Sequence, residues 1–192
     1  MSKYNTPENV CEALTTFIIE IREQAAALRA YDNIFHSELC SNVFMQRAYN
    51  SIWRELLSET ARIFDKADTG SSENCTLLRL KELCCSEQYS VLFPSREQDD
   101  LLQSFENIIE QYNQLPIIKT RNKQLAHHDL KQVTNGECIE ISLEQVEQLI
   151  ENLTNVFSRI RTRFYFGVFE VTFVNYNVLV EHFEMDISKL IE

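Results

Sequence analysis

An arginine followed closely by a histidine can carry phosphoryl chemistry, and Arg121-Asn122-Lys123-Gln124-Leu125-Ala126-His127-His128-Asp129 supplies both residues. The planar guanidinium grips phosphate oxygens through its fork of donors, and imidazole exchanges protons near neutral pH. Spacing alone is a weak signal. With 11 arginines and four histidines in the chain, four to six intervening residues occur by chance roughly 0.7 times. Arg29 and His36 form such a pair elsewhere.

Local composition separates the two pairs. The chain carries 18 basic and 29 acidic residues, a net charge of -11, which excludes a nonspecific polyanion binder held by Lys and Arg over its whole surface. Two basic islands interrupt this acidic background. Lys119, Arg121, Lys123 and Lys131 stand against Asp129 alone, and Arg159, Arg161 and Arg163 lie in a stretch without an acid. Acidic runs flank them, from Glu97 to Glu110 and from Glu137 to Glu151. An acidic body with two basic islands suits a local anion site. Lys119, Lys123, Arg159 and Arg163 are the candidate phosphate contacts. The three arginines near 160 alternate, so they cannot share one helical face.

The elements that must position these residues read as helices. Three glycines and three prolines are too few for a sheet with many tight turns and favour long helices with few connections. Pro7-Glu8 opens a helical pattern from Val10 to about Leu28. A second helix is expected from Ser37 or Ser41 through Phe64, a loop over Asp65–Asn74, and a short helix carrying Leu77, Leu80 and Leu83. Ser95 can cap a helix through Tyr112, which Pro116 breaks. The motif therefore starts a fresh segment, Ile117 to about Leu130, followed by a turn at Thr134-Asn135-Gly136. Ser142, with Glu144 and Gln145, starts a further helix through Ile160. The Phe-, Val- and Tyr-rich stretch from 164 to 180 permits a strand or a helix end with an extended arm. The expected fold is all-α: one domain over residues 1–192 with about five to seven helices and a C-terminal arm from about 167.

Other chemistries find little support. The six cysteines lack C-x-x-C spacing, so zinc held by Cys84, Cys85, His127 and His128 is not the favoured reading. No cofactor is expected. No apolar run approaches the roughly 18 residues of a membrane span, and the N-terminus lacks the apolar run of a signal peptide. Free thiols and a cytoplasmic location follow as expectations.

The motif resembles the HEPN superfamily of RNA-processing and toxin domains, marked by Arg, a polar residue, and His after four to six residues. Within it, the segment looks most similar to the abortive-infection branch, which tends to carry Arg-(Asp/Asn)-Lys-x-x-Ala-His-x-Asp. Every position matches, with Asn122 in place of the commoner aspartate. Ile63-Phe64-Asp65 and Leu77-Leu78-Arg79-Leu80 are more weakly similar. The resemblance implies a helical bundle that pairs with a second copy, so that two Arg/His sets face each other across a cleft. It also implies metal-independent RNA cleavage by the ribose 2′-hydroxyl, in phage defence or beside an antitoxin protein. Arg121 would then steady phosphorane charge, His127 move the proton, and Asn122 orient the pair. At about 100° per residue, His128 lies nearly on the face of Arg121, whereas His127 lies about 120° away. Helix geometry favours His128 and the family pattern favours His127, the residue chosen here. The reading from a different class is a non-catalytic helical module that binds nucleotide, RNA or protein through the same basic segment.

Overall fold

A computed structural model describes residues 6–35, 43–67, 74–90, 95–120, 141–164 and 173–191. Among them are seven helices: α1 (Pro7–Phe35), α2 (Val43–Ile63), α3 (Leu77–Cys85), α4 (Glu87–Ser90), α5 (Ser95–Gln114), α6 (Leu143–Phe164) and α7 (Tyr176–Ile191). No described residue is in a strand. The all-α expectation holds.

The first helix organises the rest. Proline fits its first turn, where the missing N–H costs no helical bond, and the Thr6 hydroxyl accepts from the Asn9 N–H at 3.4 Å. Over 29 residues, apolar groups recur at helical spacing on more than one side. Val10, Cys11, Leu14, Ile18, Ile21, Ala25 and Leu28 enter the main core, while Ala26 and Ala30 enter a second, smaller one. A helix that buries several faces must be surrounded, and α1 packs against α2, α3, α6 and α7.

Side-chain contacts fix the directions. Asp32 lies beside Tyr49 and Phe17 beneath the Arg62 guanidinium, so α2 runs antiparallel to α1. Arg22 reaches the Val174 carbonyl and Asn33 the Glu184 carboxylate, so α7 runs parallel to α1. Gln111 pairs with Asn152 and Ser104 with Arg159, so α5 and α6 are antiparallel. Leu101, Phe105, Ile108 and Tyr112 of α5 close against Val146, Leu149, Leu153, Phe157 and Ile160 of α6 in the main core. Phe64, at the end of α2, stacks on Tyr112 with ring centres 4.2 Å apart.

Several boundaries depart from the sequence expectations. The second helix is described from Val43 to Ile63, and its expected start at Ser37 or Ser41 lies outside the described residues. The short α4 had no counterpart in the sequence reading. The C-terminal region is no extended arm over its whole length: α7 is a helix that buries Val180 and Ile187 against Ala26 and Ala30. Alanine on α1 removes the bulk that would hold the two axes apart, so packing decides where local propensity was ambiguous. The break near Pro116 stands as expected, with a final helical turn over 117–120. The turn at 134–136 lies outside the described residues.

Phe157 of α6 is fully buried in the main core, its ring edge-on to Phe173 at 6.3 Å. Truncation to alanine should cost about 3–5 kcal/mol, read as a lower denaturant midpoint at an unchanged slope. A loss below about 1 kcal/mol, small for a large core side chain, would contradict this core.

Candidate functional site

Arg121, Asn122, Lys123, His127 and His128 fall within 121–140, outside the described residues. The structure does define both anchors of that segment. Before it, Pro116 accepts the Thr120 N–H at 2.8 Å, Ile117 is buried in the main core, and Ile118 and Lys119 are exposed. Thr120, next to Arg121 in the chain, is buried, and its hydroxyl has no hydrogen-bond partner among the described residues. After the segment, Ile141 and Leu143 enter the core. Between them, the Ser142 N–H donates to Gln145 Oε1 at 3.0 Å and the Gln145 N–H to Ser142 Oγ at 3.3 Å. This reciprocal capping box is the one Ser142 and Gln145 signalled in the sequence. Because α5 and α6 are antiparallel, the chain leaves and re-enters the described structure toward one end of the bundle.

That end carries the densest polar contact among the described residues. Arg29 Nε donates to Glu147 Oε1 at 2.9 Å while its Nη2 reaches Glu147 Oε2, a bidentate pair. The same Nη2 donates to Glu144 Oε1 at 3.0 Å. Tyr176 donates its hydroxyl to Glu147 Oε1 at 2.6 Å. One guanidinium thus ties the first two turns of α6 and, through Glu147, the first residue of α7 to α1. The forked donors match the carboxylate in plane, which a lysine could not do.

Charge in the cluster is unbalanced. Asp32, half-buried one turn from Arg29, accepts from Tyr49 at a long 3.4 Å. Burial raises its carboxyl above the usual value, against the opposing pull of Tyr49 and Arg29. The backbone N–H at the start of α6, together with Arg29, holds Glu144 below its usual value. Burial and the neighbouring Glu147 push the Tyr176 phenol up, so it stays a neutral donor.

The remaining predicted residues divide clearly. Lys119 is exposed beside the motif. Arg159 is exposed and donates to Ser104 on α5 at 3.3 Å. It lies roughly 24 Å along α6 from Leu143 at 1.5 Å per residue. Arg161 turns inward, where its charge acts on the buried Cys11 thiol. The two arginines therefore take different faces, as their alternation required. The Arg163 side chain and His36 lie outside the described residues. Arg29, set aside in the sequence as half of a chance spacing, is the centre of the clamp. Its partners stand 115 and 118 positions away, beyond any local sequence signal.

The two buried thiols among the described residues, Cys11 and Cys84, are poor nucleophiles. Burial raises Cys11 strongly and pushes Cys84 up to about 12, which suppresses the nucleophilic thiolate. None of the four described cysteines forms a disulfide. Among the described residues no group of three His, Cys, Asp or Glu could hold a metal, and no helix is long and apolar enough to cross a membrane.

The described residues form only helices, four of them packed around α1, and the family model that matches the chain is that of a HEPN-type abortive-infection domain. The chain belongs to the AbiU2 family, whose model matches residues 8–185. No curated protein and no solved structure gives a significant match.

Two substitutions test the clamp. Arg29→Ala leaves Glu147 without its bidentate partner and should cost about 2 kcal/mol, seen in thermal or denaturant unfolding; an unchanged midpoint would contradict the clamp. Asp32→Asn should act in the opposite direction. A carboxyl raised by folding disfavours the folded state above its folded value, and that cost is relieved as pH falls and the proton binds. The variant should therefore be more stable than wild type at neutral pH, with the gap closing toward pH 4, the ordinary carboxylate range. A gap that widens on acidification would contradict this sign.

Proposed function

We propose that this protein is a metal-independent endoribonuclease acting through Arg121 and His127, in phage defence or as the toxin of a toxin–antitoxin pair. One observation carries the reading. The nine-residue match at 121–129 stands in a chain whose membership of an abortive-infection family rests on nearly its full length. The anchors at Thr120 and Ile141 support it, since they tether the segment at both ends to the core.

In the proposed reaction His127 takes the proton of a ribose 2′-hydroxyl. The freed oxygen attacks the adjacent phosphorus, and the bond from phosphorus to the 5′-oxygen breaks. That oxygen leaves with a proton, giving a 2′,3′-cyclic phosphate and a 5′-hydroxyl. Arg121 offsets the charge that builds on the phosphorane oxygens, where a fixed donor is most effective. Asn122 orients the two groups, and His128 serves as auxiliary or substitute acid. Lys119, Lys123, Arg159 and Arg163 hold flanking phosphates. Two copies contribute facing Arg/His sets to one cleft, which removes the need for Arg121 and His127 to share a helical face. The work is cytoplasmic, and an antitoxin protein would restrain it.

The net charge of -11 favours a second reading, a non-catalytic module that binds nucleotide, RNA or protein. Purified protein incubated with RNA in EDTA separates the two. The enzyme should leave cyclic-phosphate ends, and Arg121→Ala or His127→Ala should slow cleavage about 10²–10⁴-fold, the usual worth of an acid–base group. The corresponding loss in His128→Ala should be smaller. Cleavage at the wild-type rate by both the Arg121 and His127 variants would sink the assignment, and tight binding without cleavage would establish the module.

A further inference from the structure

Five threonines are buried among the described residues, and three of them use their hydroxyls in hydrogen bonds. Thr15 and Thr154 donate to the carbonyls of Cys11 and Ile150, one helical turn back, at 2.7 Å each. Thr76 accepts from the Arg79 N–H at the start of α3. Thr60 and Thr120 differ. Each of their hydroxyl oxygens is closed off from solvent and has no hydrogen-bond partner among the described residues.

Thr120 is the more informative of the two. It ends the helical turn over 117–120, is 7% exposed, and stands immediately before Arg121. The bond that satisfies Thr15 and Thr154 is open to it, because a helical threonine can turn its hydroxyl toward the carbonyl four residues earlier. That carbonyl belongs to Pro116 and accepts the Thr120 N–H at 2.8 Å. The hydroxyl does not join it. A buried hydroxyl without a bond is destabilising, and an apolar group of the same shape would remove the penalty. Valine has that shape. Stability alone therefore favours valine at this position, and a departure from the stable choice is characteristic of working sites.

We propose that Thr120 is a positioning residue of the ribonuclease site. Its hydroxyl makes its hydrogen bond to the segment that begins at Arg121 only as the phosphorane forms, and so fixes the Arg121 backbone while the guanidinium meets the developing charge. The platform suits this role, since Ile117, three residues earlier, is fully buried in the main core. A bond made in the transition state and absent from the free protein raises kcat without tightening substrate binding. This inference rests on the ribonuclease reading. Unfolding is measured without RNA, so the two can fail separately.

The test compares Thr120→Val, Thr120→Ser and, as a control, Thr60→Val in denaturant unfolding and in steady-state RNA cleavage in EDTA. Thr120→Val should unfold at the wild-type midpoint or above it. Its kcat should fall about 10-fold, the usual scale of one hydrogen bond, at an unchanged KM. Thr120→Ser keeps the hydroxyl and should cleave close to the wild-type rate, although the lost methyl group lowers its midpoint. Stability and activity thus run in opposite orders at position 120, whereas a side chain that only packs would move them together. Thr60→Val should gain stability in the same way and cleave as wild type does. A Thr120→Val protein that keeps the wild-type kcat, or that unfolds below the wild-type midpoint, would overturn the role of Thr120. So would a Thr120→Ser protein as slow as Thr120→Val. Wild type that leaves RNA intact would instead remove the ribonuclease reading, and this role with it.

Discussion

Everything in this fold depends on burying α1. A helix of 29 residues with apolar groups on several sides cannot face water, and four other helices exist in part to cover it. The consequence is directional. Because α2 and α6 run against it and α7 runs with it, the carboxyl end of α1 becomes the meeting point for the starts of α2 and α6 and for the later turns of α7. The motif segment returns to the core at that meeting point. Its position is thus a consequence of how a central helix is covered, and not of any preference in the motif itself.

Hydrophobic burial leaves the ends of helices loosely specified, and the polar clamp answers that weakness. Apolar packing is non-directional, so a helix can slide or rotate by small amounts at little cost. A bidentate guanidinium–carboxylate pair has a fixed plane and distance. Arg29 applies that constraint to Glu147, and Tyr176 extends it to α7. The capping box at Ser142 fixes the neighbouring backbone. A segment asked to hold an arginine and a histidine to within a fraction of an ångström of reacting atoms gains from such a base. The surplus of carboxylates around one guanidinium, with Asp32 raised by burial, marks the same region as less than optimal for stability.

Much of this was legible in the sequence because its signals were local. Proline at position 7, Ser142 with Gln145 and Pro116 act within one helical turn, and each does what its chemistry predicts. The family was legible because nine consecutive residues carry it. Missed features were those set by distant parts of the chain. Tyr, Val and Phe around 173–183 suit strand or helix alike, and only the alanines of α1, some 150 positions away, settle the choice for α7. Arg29 looked like coincidence for the same reason. Among the catalytic candidates, sequence and structure divide the labour: residue types come from 121–129, while the anchors on either side come from packing.

The central claim is chemical: a ribose 2′-hydroxyl is the nucleophile. The most direct measurement compares cleavage of an RNA with that of the same strand carrying a single 2′-deoxy substitution at the cleaved linkage, in EDTA, at protein concentrations where both bind equally. The account predicts that the substituted linkage stays intact while the parent is cut to a cyclic phosphate. Equal cleavage of both strands, or products ending in a 5′-phosphate, would contradict it.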